Sequence, residues 1–380
     1  MNQRISILYI CPDHTLGGST QSLIDLIESV KDYVDPIILL PSEGPAYEYF
    51  QEHHIECIVC PFIRLYCIAN HPWSVVLKQP WKARPIKYLR VELACISRVL
   101  KYLKGRNIDI VHTNLSGTTI GVYLAKLLKA KHVWHIRELL DLHFNYDIYL
   151  GMKSLNRKIC KADARIAISN AVKDHLKLPN EGTWVINDAI RSKEDASYTP
   201  QKDKYLLFSA YYIVVEKGIE TAIRAFAKSE VFKDGYKLRI MGNCADEYMY
   251  TLQNIINECN IEQQVEFIPC QKDVKPFFIQ AAAYIMASKD EGLGRVTGEA
   301  MFFGCPVIAH ASGGSLDMVM DGETGYLFTT EEECADKIRI VCTSNQERII
   351  LNAQQYIIEN QSREVYGPKI MEVYNRVLNR

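Results

Sequence analysis

The sequence predicts an α/β protein built from two doubly wound halves, each with a parallel sheet covered by helices. The chain has 380 residues, of which 48% are hydrophobic and 23% charged, so it is long enough for two globular domains. Short β-branched runs alternate with helical periodicity, as they do in βαβ units. The alternation breaks in a polar stretch at residues 188–204 and then restarts. That stretch is the predicted linker between the halves.

The apolar runs define the expected elements. The strands expected in the first half are residues 5–11, 36–40, 55–59, 109–112, 132–136, 165–169 and 183–186. Those expected in the second half are residues 205–209, 237–241, 265–268, 283–287, 306–309 and 326–328. Helical periodicity fills the intervals, for example over 121–130, 219–228 and 252–259, and the tail from Glu331 onward is helical. Such alternation forms right-handed parallel units, which bind ligands beyond the carboxyl ends of their strands.

The net charge, the apolar runs and the cysteines exclude several classes of protein. The net charge of −1 gives no electrostatic argument for nucleic acid as a partner. The apolar run after Arg4 is too short for a signal peptide, and no run of about 18 apolar residues predicts a transmembrane helix. We therefore expect a cytoplasmic protein with reduced thiols. Cys57-x-x-Cys60 has no second ligand pair and lies in a strand-like run, so no metal site is predicted.

Residues 64–106 form a basic segment with ten Lys or Arg against the single acid Glu92, and with Trp73 and Trp81. The basic residues are Arg64, Lys78, Lys82, Arg84, Lys87, Arg90, Arg98, Lys101, Lys104 and Arg106. A basic, aromatic, partly helical segment is typical of a surface that contacts anionic lipid. A solvated helical face with its tryptophans packed inward explains the same pattern. The sequence leaves both interpretations open.

The chemistry is concentrated in residues 291–301, Glu-Gly-Leu-Gly-Arg-Val-Thr-Gly-Glu-Ala-Met, which follow a predicted buried strand. The glycines permit a ligand to approach the backbone closely. We expect Thr297 and Gly298 to open a helix with Glu299 in its first turn, and the free N–H groups of such a helix start favour phosphate. Glu291 and Glu299 bracket that end, where carboxylates can accept hydrogen bonds from sugar hydroxyls. The glycine spacing does not fit a dinucleotide-binding fingerprint.

Glu291 to Glu299 resembles the E-x7-E motif of the retaining glycosyltransferase family 4, also called glycosyl transferases group 1. The run from Ala300 to Ala309, Gly313-Gly314 and Asp321-Gly-Glu-Thr-Gly325 continue the family pattern, and weaker similarity covers the whole chain. The resemblance implies the GT-B fold, in which two Rossmann-like domains face a central cleft and the last helix crosses back. The domains would be residues 1–195 with about 362–380, and 200–361.

The resemblance also implies metal-independent transfer of a sugar from a nucleotide donor, with retention at the anomeric carbon and without a cofactor. Glu299 would bond the donor's ribose hydroxyls and Glu291 the donor sugar. Lys217, in Glu216-Lys217-Gly218, would neutralise the departing diphosphate, because a fixed cation lowers the barrier without reorganisation. The remaining donor-binding candidates in this half are Gly292, Leu293, Gly294, Arg295, Val296, Thr297, Tyr212 and Gly242.

The first half carries weaker signals. Leu16-Gly17-Gly18-Ser19 follows the first strand and resembles the family's Gly-Gly loop, so Gly17 and Gly18 would approach the diphosphate and donor sugar, with Ser19 or Thr20 as the helix cap. His135 resembles a family histidine near the reacting centre and is the third catalytic candidate, with Glu291 and Lys217. The acceptor candidates are Asn114, Arg137 and Glu138. Each polar residue also fits a role in capping a strand.

Two departures from the family pattern stand out. The family commonly has an arginine five residues before the lysine, and Tyr212 occupies that position. Tyrosine donates a hydrogen bond but carries no charge, so either donor affinity is lower or Arg295 substitutes. The family's Asn-Gly at the end of the first half is replaced by Asn187-Asp188-Ala189, which alters the expected hinge.

The sequence therefore predicts a retaining glycosyltransferase of surface polysaccharide or glycoconjugate biosynthesis. Its partners would be a nucleotide-sugar and a glycan or lipid-linked acceptor, in the cytoplasm or as a peripheral membrane protein on the inner face of the cell membrane. Two alternatives stay open. One is a sugar-nucleotide epimerase of the same fold. The other is a non-catalytic partner subunit, which is considered because Tyr212 replaces the family's arginine.

Overall fold

The computed structural model describes residues 4–64, 66–68, 83–142, 146–148 and 151–379. These residues form two compact units. The first unit comprises the chain up to Ala189 together with the part from Tyr366 onward, and the second unit is Ile190–Val365. The division between them falls at the start of the polar stretch 188–204, which contains one short 3₁₀ turn, Lys193–Asp195.

The first unit contains a seven-stranded parallel sheet in the order β3-β2-β1-β5-β6-β8-β9. Its strands are β1 (Ile5–Ile10), β2 (Val34–Leu40), β3 (Glu56–Val59), β5 (Ile110–Asn114), β6 (Lys131–Ile136), β8 (Ala164–Ala167) and β9 (Thr183–Val185). Two further strands, β4 (Tyr66–Ile68) and β7 (Tyr146–Ile148), pair antiparallel. The strand order reverses between β1 and β5, so the topological switch point lies between these two strands.

Helices cover both faces of this sheet. They are α1 (Gly18–Val30), α2 (Pro45–Glu52), α3 (Ala83–Tyr102), α4 (Ile120–Leu128), α5 (Met152–Ile159), α6 (Asn170–His175) and the last helix of the chain, α14 (Arg363–Leu378). Tyr366, Ile370 and Val373 of α14 recur at helical spacing and are fully buried in the same core as β1 and β2. The end of the chain therefore completes the hydrophobic core of the first unit.

The second unit contains a six-stranded parallel sheet in the order β12-β11-β10-β13-β14-β15. Its strands are β10 (Tyr205–Ile213), β11 (Lys237–Cys244), β12 (Val265–Ile268), β13 (Ala283–Met286), β14 (Val307–His310) and β15 (Tyr326–Phe328). Its helices are α7 (Ile219–Ser229), α8 (Asp246–Glu258), α9 (Lys275–Gln280), α10 (Arg295–Phe302), α11 (Ser315–Met318), α12 (Glu331–Thr343) and α13 (Glu347–Gln361). The strand order reverses between β10 and β13, which places the switch point there.

The predicted fold class is confirmed: two doubly wound α/β units with parallel sheets, in which every strand expected from the sequence is present. The largest shift is at β10, which continues past residue 209 to Ile213 through a bulge. The β4–β7 pair was not predicted, because strands of three residues from distant segments carry no periodic pattern.

Candidate active site

The switch point of the second unit brings two of the predicted residues together. Lys217 follows β10 and Glu291 follows β13, and these strands are neighbours in the sheet. The Lys217 Nζ lies 3.1 and 3.0 Å from the two carboxylate oxygens of Glu291. The side chains are 22% and 18% exposed. The pair is therefore well ordered by hydrogen bonds and still accessible to a solute.

Gly218 explains how the lysine reaches the glutamate. Its φ is +70°, and a Cβ at this position would lie 2.2 Å from the carbonyl oxygen of Ala287, at the end of β13. Only glycine permits this approach and this backbone conformation without strain. The glycine that follows Lys217 therefore lets the loop after β10 lie directly against the loop that carries Glu291.

A second glycine fixes the other side of the Glu291 loop. The N–H of Gly314 donates to the carbonyl of Glu291 at 2.8 Å. A Cβ on Gly314 would lie 2.4 Å from the Cα of Leu293. No role was predicted for Gly313-Gly314 from the sequence. In the structure, this motif packs closely against the backbone of residues 291–293 and holds it in place.

Helix α10 begins at Arg295, with Gly294 as its N-cap at φ +79°. The helix starts two residues earlier than the sequence analysis expected, because the left-handed Gly294 turns the chain directly into it. Glu299 consequently lies in the second turn and not in the first. No side chain caps this end, and the buried Thr297 Oγ1 has no hydrogen-bond partner among the residues that the structure describes. Uncapped N–H groups at a helix start favour an anion.

Arg295 and Glu299 form a second ion pair one helical turn apart. The Arg295 Nε lies 3.4 Å from a Glu299 carboxylate oxygen, and the side chains are 12% and 13% exposed. The Arg295 guanidinium also donates to the carbonyl of Ile190 at 3.1 Å. Val296 is partly exposed beside them. Both charged residues of this pair are therefore already oriented at the start of α10.

Two further donor candidates lie at the carboxyl ends of β10 and β11. Tyr212 is 58% exposed. Gly242 is on β11 with φ +153°, opposite the irregular part of β10. The structure thus places six predicted donor-site residues at the carboxyl edge of one sheet, which is the edge where doubly wound sheets bind ligands. Tyr212 and Gly242 lie within the final residues of β10 and β11, and Lys217, Glu291, Arg295 and Glu299 follow β10 and β13.

In the first unit, the Gly-Gly loop leads into α1. Gly17 is the N-cap and Gly18 the first helical residue, without a side-chain cap, so the expectation that Ser19 or Thr20 caps the helix was wrong. The reason is that the chain enters the helix two residues earlier. Asn114, at the end of β5, donates from Nδ2 to the Ser19 carbonyl at 3.1 Å. The loop is thereby held at the switch point of the first sheet.

Arg137, His135 and Asn114 belong to one buried polar network. The Arg137 Nε lies 2.6 Å from Asn114 Oδ1, and its guanidinium donates to the Asp188 carboxylate and to His135 Nδ1 (3.2 Å). Because arginine cannot accept a hydrogen bond, His135 Nδ1 is the acceptor and the ring proton is on Nε2. Burial, together with the Arg137 charge, keeps the pKa of His135 well below its usual value. His135 is therefore neutral at pH 7 and has no exposed surface.

Asp188 was noted in the sequence only as a departure from the family, but the structure places it against two predicted site residues, Arg137 and His135. Its side chain is buried with Arg137, 51 positions earlier in the chain, and its Oδ1 lies 3.7 Å from His135 Nε2. The sequence feature that could have indicated this role is the carboxylate of Asp188 at the position where the family has a glycine. The acid neutralises a buried arginine at the end of the first unit.

Glu138 is held by Ser116, whose N–H and hydroxyl donate to its carboxylate at 3.0 and 2.8 Å. Burial raises the pKa of this carboxyl group. The turn that presents Ser116 contains Leu115 at φ +139°, a conformation that a branched residue rarely adopts. Hydrogen bonds from Trp134 Nε1 to the Leu115 carbonyl and from the Leu115 N–H to His135 stabilise it. Such strain is commonly found near functional sites.

The described part of the chain contains no group of three His, Cys, Asp or Glu side chains placed to hold a metal ion. Cys57 and Cys60 are free thiols on and just after β3, and Cys60 is buried. Within the same described ranges, no helix has the length and hydropathy needed to cross a bilayer.

Comparison with known proteins assigns each unit to a family. A family model described as "Glycosyltransferase Family 4" matches residues 17–186, and one described as "Glycosyl transferases group 1" matches residues 190–362. The chain is 24% identical over 311 residues to the N-acetyl-alpha-D-glucosaminyl L-malate synthase of Bacillus anthracis, covering 77% of this chain and 80% of that enzyme. It is also 24% identical over 307 residues to the alpha-monoglucosyldiacylglycerol synthase of Streptococcus pneumoniae, covering 73% and 68%.

Solved structures agree on the fold. Anabaena HepE, crystallised with UDP-glucose, superimposes with a TM-score of 0.78 at 19% identity, over 98% of this chain and all of that one. The two family matches meet at the boundary between the two structural units and together leave out only the ends of the chain and residues 187–189. The chain is a glycosyltransferase, with a family 4 domain as its first unit and a group 1 domain as its second.

Proposed function

We propose that the protein transfers a sugar from a nucleoside diphosphate sugar to an acceptor hydroxyl, with retention of anomeric configuration and without a metal ion. The observation that carries the proposal is the Lys217–Glu291 pair at the switch point of the second unit. Lys217 lies on the loop before α7, and Glu291 lies on the loop before α10, whose N-terminus has no side-chain cap among the described residues. The matched families and the UDP-glucose bound in the HepE crystal structure support a donor of this class.

Each group then has a chemical role. As the bond from the anomeric carbon to the diphosphate oxygen breaks, negative charge grows on the diphosphate. Lys217 and the first N–H groups of α10 stabilise that charge, and they are fixed before the reaction begins. Glu291 accepts hydrogen bonds from donor sugar hydroxyls, and Glu299 from ribose hydroxyls. The acceptor hydroxyl oxygen forms the new bond to the anomeric carbon, and its proton passes to the departing diphosphate oxygen.

For the acceptor we propose a glycan or a lipid-linked glycan. The two relatives are named for different products, N-acetyl-alpha-D-glucosaminyl L-malate in one and alpha-monoglucosyldiacylglycerol in the other, so the family alone does not determine the acceptor. Glu138 and the strained turn at Leu115 lie at the carboxyl edge of the first unit's sheet, and Glu138 remains partly exposed. A partly exposed carboxylate with fixed orientation is suited to binding an acceptor hydroxyl.

The surface of α3 favours an acceptor in or near a membrane. Leu89 and Leu93 are 59% and 54% exposed one turn apart on this helix, and the exposed Arg90 lies three positions before Leu93. Arg98 and Lys101 are exposed further along the helix. The one acid of the basic segment, Glu92, points inward and accepts from the N–H of Ile63 at 2.8 Å. The exposed face therefore combines leucines with positive charge, as anionic lipid surfaces require.

Other parts of the basic segment do not contribute to this face. Arg106 pairs with Glu56 at 2.5 Å, and Arg64 donates to the carbonyl of Pro12 at 2.9 Å. Trp73, Trp81, Lys78 and Lys82 lie outside the described residues. We therefore assign the proposed membrane contact to Leu89, Arg90, Leu93, Arg98 and Lys101 of α3.

Thermal unfolding against a panel of nucleotides tests the donor assignment. UDP, GDP, CDP and ADP, with and without attached sugars, are added to the wild type, to Glu299→Gln and to Glu323→Gln, an exposed acid of the same unit. A ligand at a hundred times its Kd adds about 2.7 kcal/mol of stability. We expect one nucleotide to stabilise the wild type and Glu323→Gln, and to stabilise Glu299→Gln much less. No shift with any nucleotide would instead favour the non-catalytic partner subunit.

Product analysis tests retention and separates transfer from epimerisation. With the donor identified, proton NMR follows the anomeric signals of donor and product while an acceptor is varied. We expect product with the donor's anomeric configuration only when an acceptor is present. Inversion would contradict the retaining assignment, and conversion of the donor sugar without an acceptor would favour an epimerase.

Vesicle binding tests the α3 surface. Arg90, Arg98 and Lys101 are changed together to Glu, and the control carries Lys153, Arg157 and Lys161 of the same unit changed to Glu, which alters the net charge equally. Each basic residue near an anionic surface contributes about 1 kcal/mol, so the α3 variant should bind anionic vesicles at least about tenfold more weakly. Equal binding by the two variants would contradict the assignment.

A further inference from the structure

The end of β10 contains a bulge that the sequence did not predict. Ser209 pairs with Met241 and Tyr212 pairs with Asn243, so Ala210 and Tyr211 together oppose the single residue Gly242. A Cβ on Gly242 would lie 2.0 Å from the Ala210 carbonyl oxygen. The glycine is therefore what allows the bulge to form, and bulges next to ligand sites commonly redirect side chains.

The bulge places two tyrosines on one side of the strand. Successive residues of a regular strand point to opposite faces of the sheet. The rings of Tyr211 and Tyr212 instead contact each other, with centroids 4.8 Å apart and planes at 89°. The two side chains are 44% and 58% exposed. They form an aromatic surface at the carboxyl edge of the second unit's sheet, and this edge-to-face geometry holds the rings in place.

This aromatic surface lies at the same carboxyl edge of the sheet as the proposed donor site. Tyr212 precedes Lys217 by five residues, so the two Cα atoms are at most about 18 Å apart, and Lys217 Nζ lies 3.0 Å from a Glu291 carboxylate oxygen. Where the family pattern has an arginine for the diphosphate, this chain presents a neutral ring. The negative face of an aromatic ring attracts the polarised C–H groups on the apolar side of a pyranose, while the hydroxyls of the sugar remain free for carboxylates.

We propose that Tyr211 and Tyr212 form a stacking subsite for a pyranose ring, which rests on the proposed function of the second unit. The ring belongs either to the sugar of the donor or to the terminal sugar of the acceptor. Recognition by the two tyrosines replaces part of the charge recognition that an arginine would supply. The subsite thereby shifts selectivity from the diphosphate, which all donors share, to the sugar.

Calorimetric titrations distinguish the two sources. The wild type, Tyr211→Ala/Tyr212→Ala and Tyr211→Phe/Tyr212→Phe are titrated with the nucleotide sugar selected by thermal unfolding, with its nucleoside diphosphate, and with methyl glucoside in the presence of that diphosphate. If the subsite holds the donor sugar, the alanine variant loses about threefold to tenfold in nucleotide-sugar affinity, while diphosphate affinity is unchanged. If it holds the acceptor sugar, the loss appears with methyl glucoside only. The phenylalanine variant keeps wild-type affinities in both cases.

Two results would overturn the subsite. One is wild-type affinity of the alanine variant for both sugar probes. The other is an equal loss of affinity for the nucleoside diphosphate and its sugar, which would place the tyrosines against the base or the phosphates. A wild type that binds no nucleotide would reject the proposed function itself, and the subsite with it. An unchanged unfolding temperature of the alanine variant confirms that the sheet edge is intact.

Discussion

The two units share one architecture but arrange the polar residues at their switch points differently. In the first unit, Arg137, Asp188 and His135 are buried, and Arg137 donates hydrogen bonds to the other two. Among the described residues, His135 Nε2 has no hydrogen-bond partner. In the second unit, Lys217 and Glu291 form a pair that remains partly exposed. The contrast indicates that polar residues at the ends of parallel strands serve two purposes: the buried network stabilises the first unit, and the exposed pair is available to a ligand.

The largest effect is expected from breaking the buried network. Changing Arg137 to Ala leaves Asp188 buried without its partner, so the free energy of unfolding should fall by about 3–5 kcal/mol. Arg157→Ala, an exposed arginine on α5, should change it by less than about 0.5 kcal/mol. Urea unfolding measures both. A loss below about 1 kcal/mol for Arg137→Ala would mean that Asp188 is solvated, and the contrast between the units would disappear.

Removing the exposed pair should affect catalysis and leave folding nearly intact. Lys217→Ala is expected to lower kcat by about 10²–10³-fold, since a preorganised charge opposite the leaving group is lost. Lys337→Ala is the control, because Lys337 also forms an ion pair, with Asp321 at 3.1 Å, in the same unit. Steady-state kinetics with the identified donor measure both variants. Equal activity of the two would contradict a role for Lys217 at the diphosphate.

The pH dependence of stability should report on the buried histidines. Burial lowers the pKa of His112 and His135 well below its usual value and that of His132 to about 4. These folded-state pKa values are depressed, so the unfolded chain takes up protons first. Stability is therefore complete above about pH 6.5 and falls below it, by about 1.4 kcal/mol per pH unit for each histidine.

Urea unfolding between pH 7.5 and 5 measures this slope. Substituting His132 by Gln retains a polar partner for Thr113, whose hydroxyl lies 2.9 Å from His132 Nε2. In the variant, the dependence of the free energy of unfolding on pH should be smaller by about the 1.4 kcal/mol per pH unit that one histidine contributes. An unchanged slope would show that His132 is accessible to solvent in the folded protein.

A smaller structural effect is expected at the loop that positions Glu291. Gly314→Ala forces a Cβ against the Leu293 backbone, so the second unit should lose about 1–3 kcal/mol of stability. At Gly18 an added Cβ meets nothing within 4 Å, so Gly18→Ala should be nearly neutral. Thermal unfolding compares the two. Similar stability would mean that the Glu291 loop moves easily, which the account excludes.

The smallest effect is expected from restoring the family's arginine. Tyr212→Arg adds a charge near Lys217 and should raise nucleoside diphosphate affinity by about tenfold, the effect of one charge-assisted hydrogen bond. Tyr212→Phe should leave it unchanged. Titration with the nucleoside diphosphate measures both. If arginine brings no gain, the position lies away from the diphosphate.

The strands were predictable because a run of β-branched residues is a local signal that does not require knowledge of the rest of the chain. Strands such as β12 and β15 were placed correctly for this reason. The spacing from Glu291 to Glu299 likewise indicated the candidate donor site. The burial of Arg137 and His135 was not predictable, because the side chain that neutralises Arg137 lies 51 residues further along the chain. Tyr374, which bonds His112 at 2.9 Å, lies 262 residues away. The local sequence at the end of a strand does not show whether residues from distant parts of the chain bury it.

The β10 bulge was missed for a related reason. The family resemblance identified Gly242 as a candidate donor-binding residue. Its packing against Ala210 depends on how β10 and β11 pair, which the sequence does not show. The exposed tyrosine pair follows from that packing. Tyr212 alone suggested a loss of donor affinity, whereas the pair suggests an altered specificity.

Hydrogen exchange in the presence of the selected nucleotide sugar distinguishes a donor site at the carboxyl edge of the second unit from one at the buried network of the first unit. We expect slower exchange in peptides covering residues 211–218 and 290–302, and no change in peptides covering residues 132–137. Protection confined to the first unit's network, without any at residues 290–302, would contradict the donor site at the second unit.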